Sequence, residues 1–136
     1  MEERPIHILA VDDESIVRFV VAEALNQPRV SVDVAENGLQ AQKKIIAGNY
    51  DLVITDIHMP EMDGVDLLRW MKKRRPQIKG IVITGYDISE AMTDEMSGTV
   101  TDFLNKPFSL ATLRKAVKRS IAHFEHRPEK DGEKNV

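Results

Sequence analysis

The sequence predicts an α/β fold in which one parallel sheet is covered by helices on both faces, and three observations carry that prediction. Strand and helix signals alternate five times along the 136 residues, and parallel strands joined by helical crossovers are what such alternation builds. The first, third and fourth strand signals are nearly continuous apolar runs, as strands covered on both faces are, while the second and fifth mix in polar residues and suit the edges. Several apolar runs stop on a polar residue, which gathers reactive side chains at one end of the sheet.

Ile6 to Val11 is almost wholly apolar and reads as the first strand. The first helix is expected from Ser15 to Asn26, with Ile16, Phe19, Val20 and Ala24 at helical spacing as its apolar face, and Pro28 ends it. Val30, Val32 and Val34 alternate with Ser31 and Asp33, a strand with one apolar face, and Gly38 to Ala47 carries the second helix, closed by Gly48. The third strand runs from Asp51 to Asp56, where Leu52-Val53-Ile54-Thr55 leads into a single carboxylate. Pro60, four residues later, forbids both a continuing strand and a helix interior.

Asp63 can cap a third helix that extends to about Arg74. Its Lys72-Lys73-Arg74-Arg75 run lies at the electronegative end of the helix dipole and reads as dipole pairing rather than a nucleic-acid patch. Gly80 to Thr84 is the fourth strand. Asp87-Ile88-Ser89-Glu90 has capping-box spacing with Asp87 as the cap, before a fourth helix that reaches about Ser97 on a stripe of Ile88, Met92 and Met96. Val100 to Asn105 is the fifth strand, and Ser109 caps a last helix in which Leu110, Leu113, Val117, Ile121 and Phe124 keep the helical period.

Composition narrows the function classes. The chain has the length of one domain with one core, residues 1–124, followed by a polar tail or linker of mixed sign over residues 125–136. A net charge of -3 leaves no electrostatic footprint for nucleic acid. The absence of cysteine removes disulfide frameworks and thiolate metal sites, and suits a reducing cytoplasm. No run of about 18 apolar residues is present and the N-terminus lacks a secretory apolar segment, so nothing marks export or a membrane span.

The order 2-1-3-4-5, that of the flavodoxin-like (βα)5 doubly wound sandwich, meets the condition that strands one, three and four are central and strands two and five lie at the edges. Such sheets bind ligands beyond the carboxyl ends of the strands, near the point where the order reverses. There the first strand ends in Asp12-Asp13, the third in Asp56 and the fourth in Thr84, while the fifth runs into Lys106-Pro107. Three carboxylates in one crevice repel and raise one another's pKa unless a divalent cation and the Lys106 ammonium neutralise them. An all-oxygen cluster without His or Cys suits magnesium, which keeps its waters and takes few carboxylates. The competing reading, in which acidic strand ends merely cap the following helices, is open to Asp13 alone.

With these residues in place the sequence resembles a response-regulator receiver domain of the two-component, chemotaxis-regulator type. The matching pieces are Val11-Asp12-Asp13-Glu14, Asp56-Ile57-His58-Met59-Pro60 with Asp63-Gly64, Ile83-Thr84-Gly85 and Phe103-Leu104-Asn105-Lys106-Pro107-Phe108. The resemblance implies a signalling switch that takes a phosphoryl group from a sensor histidine kinase or histidine phosphotransfer protein onto Asp56. Asp12, Asp13 and Asp56 would hold magnesium, with the backbone carbonyl of His58 as a further ligand. It further implies that Thr84 and its loop are drawn inward as Phe103 turns in. The surface of fourth helix, fifth strand and fifth helix would then change, with a homodimer through that surface as one outcome. Enzymic activity would be limited to self-phosphorylation from the donor and self-dephosphorylation.

Some positions depart from the commonest pattern of that family. Thr99-Val100 stands where Gly-Ala is usual and Gly98 falls one residue early, so an altered start to the fifth strand is expected. Phe103 has no hydroxyl where many relatives carry tyrosine. Two other classes are weighed and set aside. A haloacid-dehalogenase-like phosphatase expects a second aspartate two residues after the first, where this chain has His58. A flavodoxin-like electron carrier needs a phosphate-cradling loop after the first strand, where Asp12-Asp13-Glu14 would repel phosphate. Within the receiver reading, a stand-alone regulator acting on a downstream protein and a fragment of a larger regulator or hybrid kinase with an output domain both remain open.

Overall fold

A computed structural model describes residues 4–59, 61–85 and 87–125, without the side chains of Ala91 and residues 123–125. Pro60, the Phe124 ring and the tail beyond Glu125 lie outside the described residues. The elements alternate as β1 (Ile6–Val11), α1 (Ser15–Ala24), β2 (Val30–Ala35), α2 (Gly38–Ala47), β3 (Leu52–Asp56), α3 (Gly64–Arg74), β4 (Lys79–Thr84), α4 (Glu90–Glu95), β5 (Val100–Asn105) and α5 (Leu110–Glu125). All four strand pairings are parallel, and the order is β2-β1-β3-β4-β5.

Alternation along the central strands divides the core into two layers. Ile6, Ile8 and Ala10 of β1, with Leu52 and Ile54 of β3 and Ile81 and Ile83 of β4, face Val21 and Leu25 at α1 and Leu113 and Val117 of α5. Leu9, Val11, Val53 and Val82 face the other way, onto Ala41 and Ile45 of α2 and Leu67, Leu68 and Met71 of α3. Every residue of β3 is buried, as a strand with both faces covered requires, and the exposed Ser31 and Asp33 mark β2 as an edge. Asn37 and Asp63 cap α2 and α3 by accepting from Gln40 N at 2.8 Å and Asp66 N at 3.0 Å.

The structure corrects several of these expectations. Helical spacing puts Ile16 and Phe19 on the apolar face of α1, yet they are 65% and 62% exposed, and α1 buries Val21 and Ala24 with Val17 packed beside them. Apolar residues occupy two helical stripes of α1, and only one stripe can face the sheet. The cap of α4 is Ser89, whose Oγ accepts from Met92 N at 3.1 Å, rather than Asp87, and the helix ends at Glu95 instead of about Ser97. The hydroxyl adjacent to the first helical residue wins over the carboxylate two positions earlier. Finally, α1 stops at Ala24 rather than Asn26, while β3 and β4 each start one residue away from the expected position.

The altered start of β5 takes a definite form. Gly98 turns the chain with a φ of 91°, and Gly80 pairs with Val100 while Ile81 pairs with Asp102, so Thr101 is an extra residue in a bulge. Its hydroxyl lies 2.7 Å from that of the buried Ser120 on α5. Cations hold the C-terminal end of α4: Arg69 of α3 bonds the Glu95 carboxylate, Lys72 Nζ donates to Glu95 O at 3.0 Å, and Lys79 Nζ donates to Gly98 O at 2.7 Å. Positive charge there also opposes the exposed carbonyls of the helix end.

Candidate functional site

The carboxyl ends of β1, β3 and β4 and the residue after β5 meet in one crevice. Val11 pairs with Thr55, so Asp12 and Asp56 follow neighbouring partners on adjacent strands. Asp12, Asp56 and Thr84 are buried, whereas Asp13 is exposed. Asp56 Oδ1 accepts from the backbone N–H of His58 at 3.0 Å, and Asp56 Oδ2 accepts from Lys106 Nζ at 2.8 Å. Asp12 Oδ1 accepts from Glu14 N at 2.9 Å. Lys106 is itself fixed to β4, its backbone N–H donating to Thr84 O at 2.7 Å, and a cis peptide joins it to Pro107.

The electrostatics follow from this packing. Burial pushes the Asp12 carboxyl above the ordinary carboxylate range; the Glu14 N–H and the Lys106 ammonium pull it back only in part. Burial also works against the charge on Lys106, but hydrogen bonds to Asp56, Asp12 and Glu14 outweigh it and raise the ammonium well above its usual pKa. Lys106 therefore stays charged throughout the physiological range.

A divalent cation fits this donor set. Ligand oxygens of Asp12, Asp13 and Asp56 lie within 4.8 Å of one another. Asp12 Oδ2 is buried and makes no well-aligned hydrogen bond; its contact is the ion pair with Lys106 Nζ at 3.0 Å. A buried carboxylate oxygen in that position is stabilised by a hard cation that takes oxygen ligands and retains water, and the exposed Asp13 leaves the water side open. A cavity of about 440 Å³ above it is lined by Asp13, Glu14, Asp56, His58, Gly85 and Lys106.

Two glycines hold the chain that follows Asp56. A Cβ on Gly64 would stand 2.2 Å from Asp56 O, and Gly64 N donates to Ile57 O at 2.9 Å, so α3 begins in contact with the backbone of the site. A Cβ on Gly38 would stand 2.1 Å from Met62 O, to which Gly38 N donates at 3.0 Å. Both positions need glycine for space.

The structure thus brings together Asp12, Asp13, Asp56, His58 and Lys106, with Thr84 ending the strand beside Asp56. Phe103 stands apart from them, half-buried among residues that include Met92 and Met96 on the α3 and α4 side of the sheet. Sequence reasoning gave no separate role to Glu14, whose Oε1 lies 3.0 Å from Lys106 Nζ. Its signal was present as a third consecutive acid beyond the first strand.

A parallel five-stranded sheet in this order, with an acidic crevice and a lysine at its carboxyl edge, defines a receiver-type signalling module. The chain belongs to the response regulator receiver domain family, which it matches over residues 8–118. It is similar to the DNA-binding transcriptional regulator NtrC of Escherichia coli K12, at 30% identity over 118 residues, covering 87% of this chain and 25% of that protein. It is also 36% identical over 116 residues to the sensor kinase CckA of Brucella abortus, covering 84% of this chain and 12% of the kinase. The chain therefore spans a minor part of each of these relatives. Among solved structures, the response regulator TrrA of Thermotoga maritima, in complex with Mg(2+)-BeF, superposes with a TM-score of 0.74 at 36% identity, covering 85% of this chain and 98% of that one.

Proposed function

We propose that residues 1–124 form a phosphorylation switch in which Asp56 accepts a phosphoryl group from a phosphohistidine donor, with magnesium held by Asp12, Asp13, Asp56 and the backbone carbonyl of His58. The observation that carries this reading is the setting of Asp56: a buried carboxylate at a strand end, each oxygen oriented by one donor, with two further carboxylates and an ammonium around it. In the reaction an Asp56 oxygen forms a bond to phosphorus as the P–N bond to the donor imidazole breaks. The imidazole nitrogen keeps the electron pair, and an acyl phosphate results. Lys106 places a positive charge beside the transferring oxygens, and the Thr84 hydroxyl donates to one of them. Bound magnesium would neutralise charge on those same oxygens.

A sensor histidine kinase or histidine phosphotransfer protein is the partner that this chemistry needs, and the surface beside the crevice supports one. Ile16 and Val20 of α1 and Pro107 and Phe108 after β5 line an open apolar cavity of about 380 Å³ that also touches Lys106. A protein donor docked there brings its imidazole to the crevice. The output lies on the α4, β5 and α5 face, which acts on a downstream protein, a linked output domain or a second copy of the chain.

Acetyl phosphate and magnesium are expected to add one phosphate to the wild type by intact mass spectrometry and none to Asp56→Asn. Equal labelling of the two proteins would overturn the assignment.

A further inference from the structure

The ammonium of Lys106 has three N–H donors and three carboxylates around it: Asp56 Oδ2 at 2.8 Å, Asp12 Oδ2 at 3.0 Å and Glu14 Oε1 at 3.0 Å. Two of the three are claimed by the chemistry proposed above. Asp56 becomes an acyl phosphate, and Asp12 belongs to the carboxylates that fit a cation. Glu14 is claimed by neither, since it lies outside the group of mutually close ligand oxygens and its side chain is 58% exposed at the mouth of the crevice.

The placement of Glu14 is nonetheless fixed. It stands at the N-cap of α1, where its carboxylate caps nothing. Its N–H is tied to Asp12 Oδ1 and its carbonyl accepts from Arg18 N at 3.2 Å, while Arg18 Nη1 donates to Asp12 O at 2.8 Å. A pinned backbone thus aims the side chain across the crevice at a lysine 92 residues away.

We propose that Glu14 is a positioning residue: it anchors the Lys106 ammonium at the mouth of the crevice and remains its carboxylate partner once Asp12 and Asp56 are engaged by cation and phosphoryl group. The inference rests on the receiver reading. Without this anchor, an ammonium on a flexible four-carbon stem ranges more widely, and fewer of its conformations face the incoming phosphorus.

A purely repulsive role for Glu14, in which its charge opposes the arriving phosphate, predicts the opposite behaviour, and two substitutions separate them. Glu14→Gln keeps a carbonyl acceptor while removing the charge, and Glu14→Ala removes both. Neither deletes a packed group, because the side chain is exposed. With acetyl phosphate and magnesium, Glu14→Ala is expected to phosphorylate about threefold more slowly, the size of one lost exposed hydrogen bond, and Glu14→Gln, which keeps the acceptor for Lys106, to stay near wild type.

The second readout needs no phosphorylation. In the metal-free protein, competitive acetylation of lysines followed by peptide mass spectrometry should show Lys106 more reactive in Glu14→Ala and as protected in Glu14→Gln as in the wild type. If the two variants behave alike in either measurement, or Lys106 is no more reactive in Glu14→Ala, Glu14 is not its anchor. A wild type that takes no phosphate at all would overturn the receiver reading instead, and the acetylation result would still report on Glu14.

Discussion

Asp12 is where a metal-free crevice is least comfortable. Its carboxyl is buried and its pKa raised, so the folded state binds that proton more tightly than the unfolded chain does. For a raised carboxyl the sign is unfavourable: folding stability falls as pH rises from the unfolded value, 3.8, through the folded one, and the penalty is complete above it. Asn at this position keeps an acceptor for Glu14 N–H and carries no charge. Asp12→Asn is therefore expected to stabilise the metal-free protein near neutral pH by on the order of 1 kcal/mol, with the gain vanishing in acid. Thermal unfolding across pH measures it, and a loss of stability at neutral pH would refute it. Magnesium should raise the melting temperature of the wild type and leave Asp12→Asn nearly unmoved, because a ligand stabilises only the state that binds it. At this scale the sequence was informative wherever a polar residue ended an apolar run, which is how Asp12, Asp56, Thr84 and Lys106 stood out. Glu14 did not stand out, because its role depends on a side-chain direction that only the packed crevice defines.

Among the elements, strands were more legible than helix faces. A buried parallel strand must be apolar throughout, so β1, β3 and β4 declared both their existence and their central place. Helix α1 offered two apolar stripes, and nothing in the periodicity said which one met the sheet; the choice falls to packing against α5 and β2. The cap of α4 failed for a related reason, since Asp87 and Ser89 both have suitable chemistry and the length of the helix decides between them. The stripe left outside by α1 has a functional consequence. Phe19 is 62% exposed on the helix that borders the crevice mouth, a position suited to meeting a protein donor and of no use to a small one. Phe19→Ala is expected to slow phosphotransfer from a phosphorylated histidine kinase or phosphotransfer domain about tenfold, as loss of one interface aromatic does, and to leave labelling by acetyl phosphate unchanged. Equal slowing with both donors would place the effect in the fold rather than in docking.

Across the whole molecule, the proposed switch requires that a charge added at Asp56 be felt on a distant face. A phosphoryl group brings roughly -1.5 to -2 charges near neutral pH. Moving a population from 1:99 to 99:1 takes about 5.5 kcal/mol, which a dianion held by Lys106, Thr84 and a cation can supply and an exposed charge pair cannot. The two ends of α4 are held differently. The C-terminal end is tied to other elements by Arg69, Lys72 and Lys79, whereas at the N-terminal end the Ser89 cap on Met92 N and the Thr93 hydroxyl donating to Ser89 O stay within the helix and its cap. That end lies a short loop beyond Thr84, and Phe103 packs in the same layer as Ile88 and Met92. On the function proposed above, a pull on Thr84 is expected to swing α4 about its tethered C-terminus and to repack Phe103 against the methionines, whose flexible side chains accept such a change. Hydrogen exchange with and without beryllofluoride should change most over residues 85–92 and 103–106, and least over residues 95–99. Changes confined to the surroundings of Asp12, Asp13 and Asp56, with residues 86–108 exchanging as before, would rule out the α4, β5 and α5 face as the output.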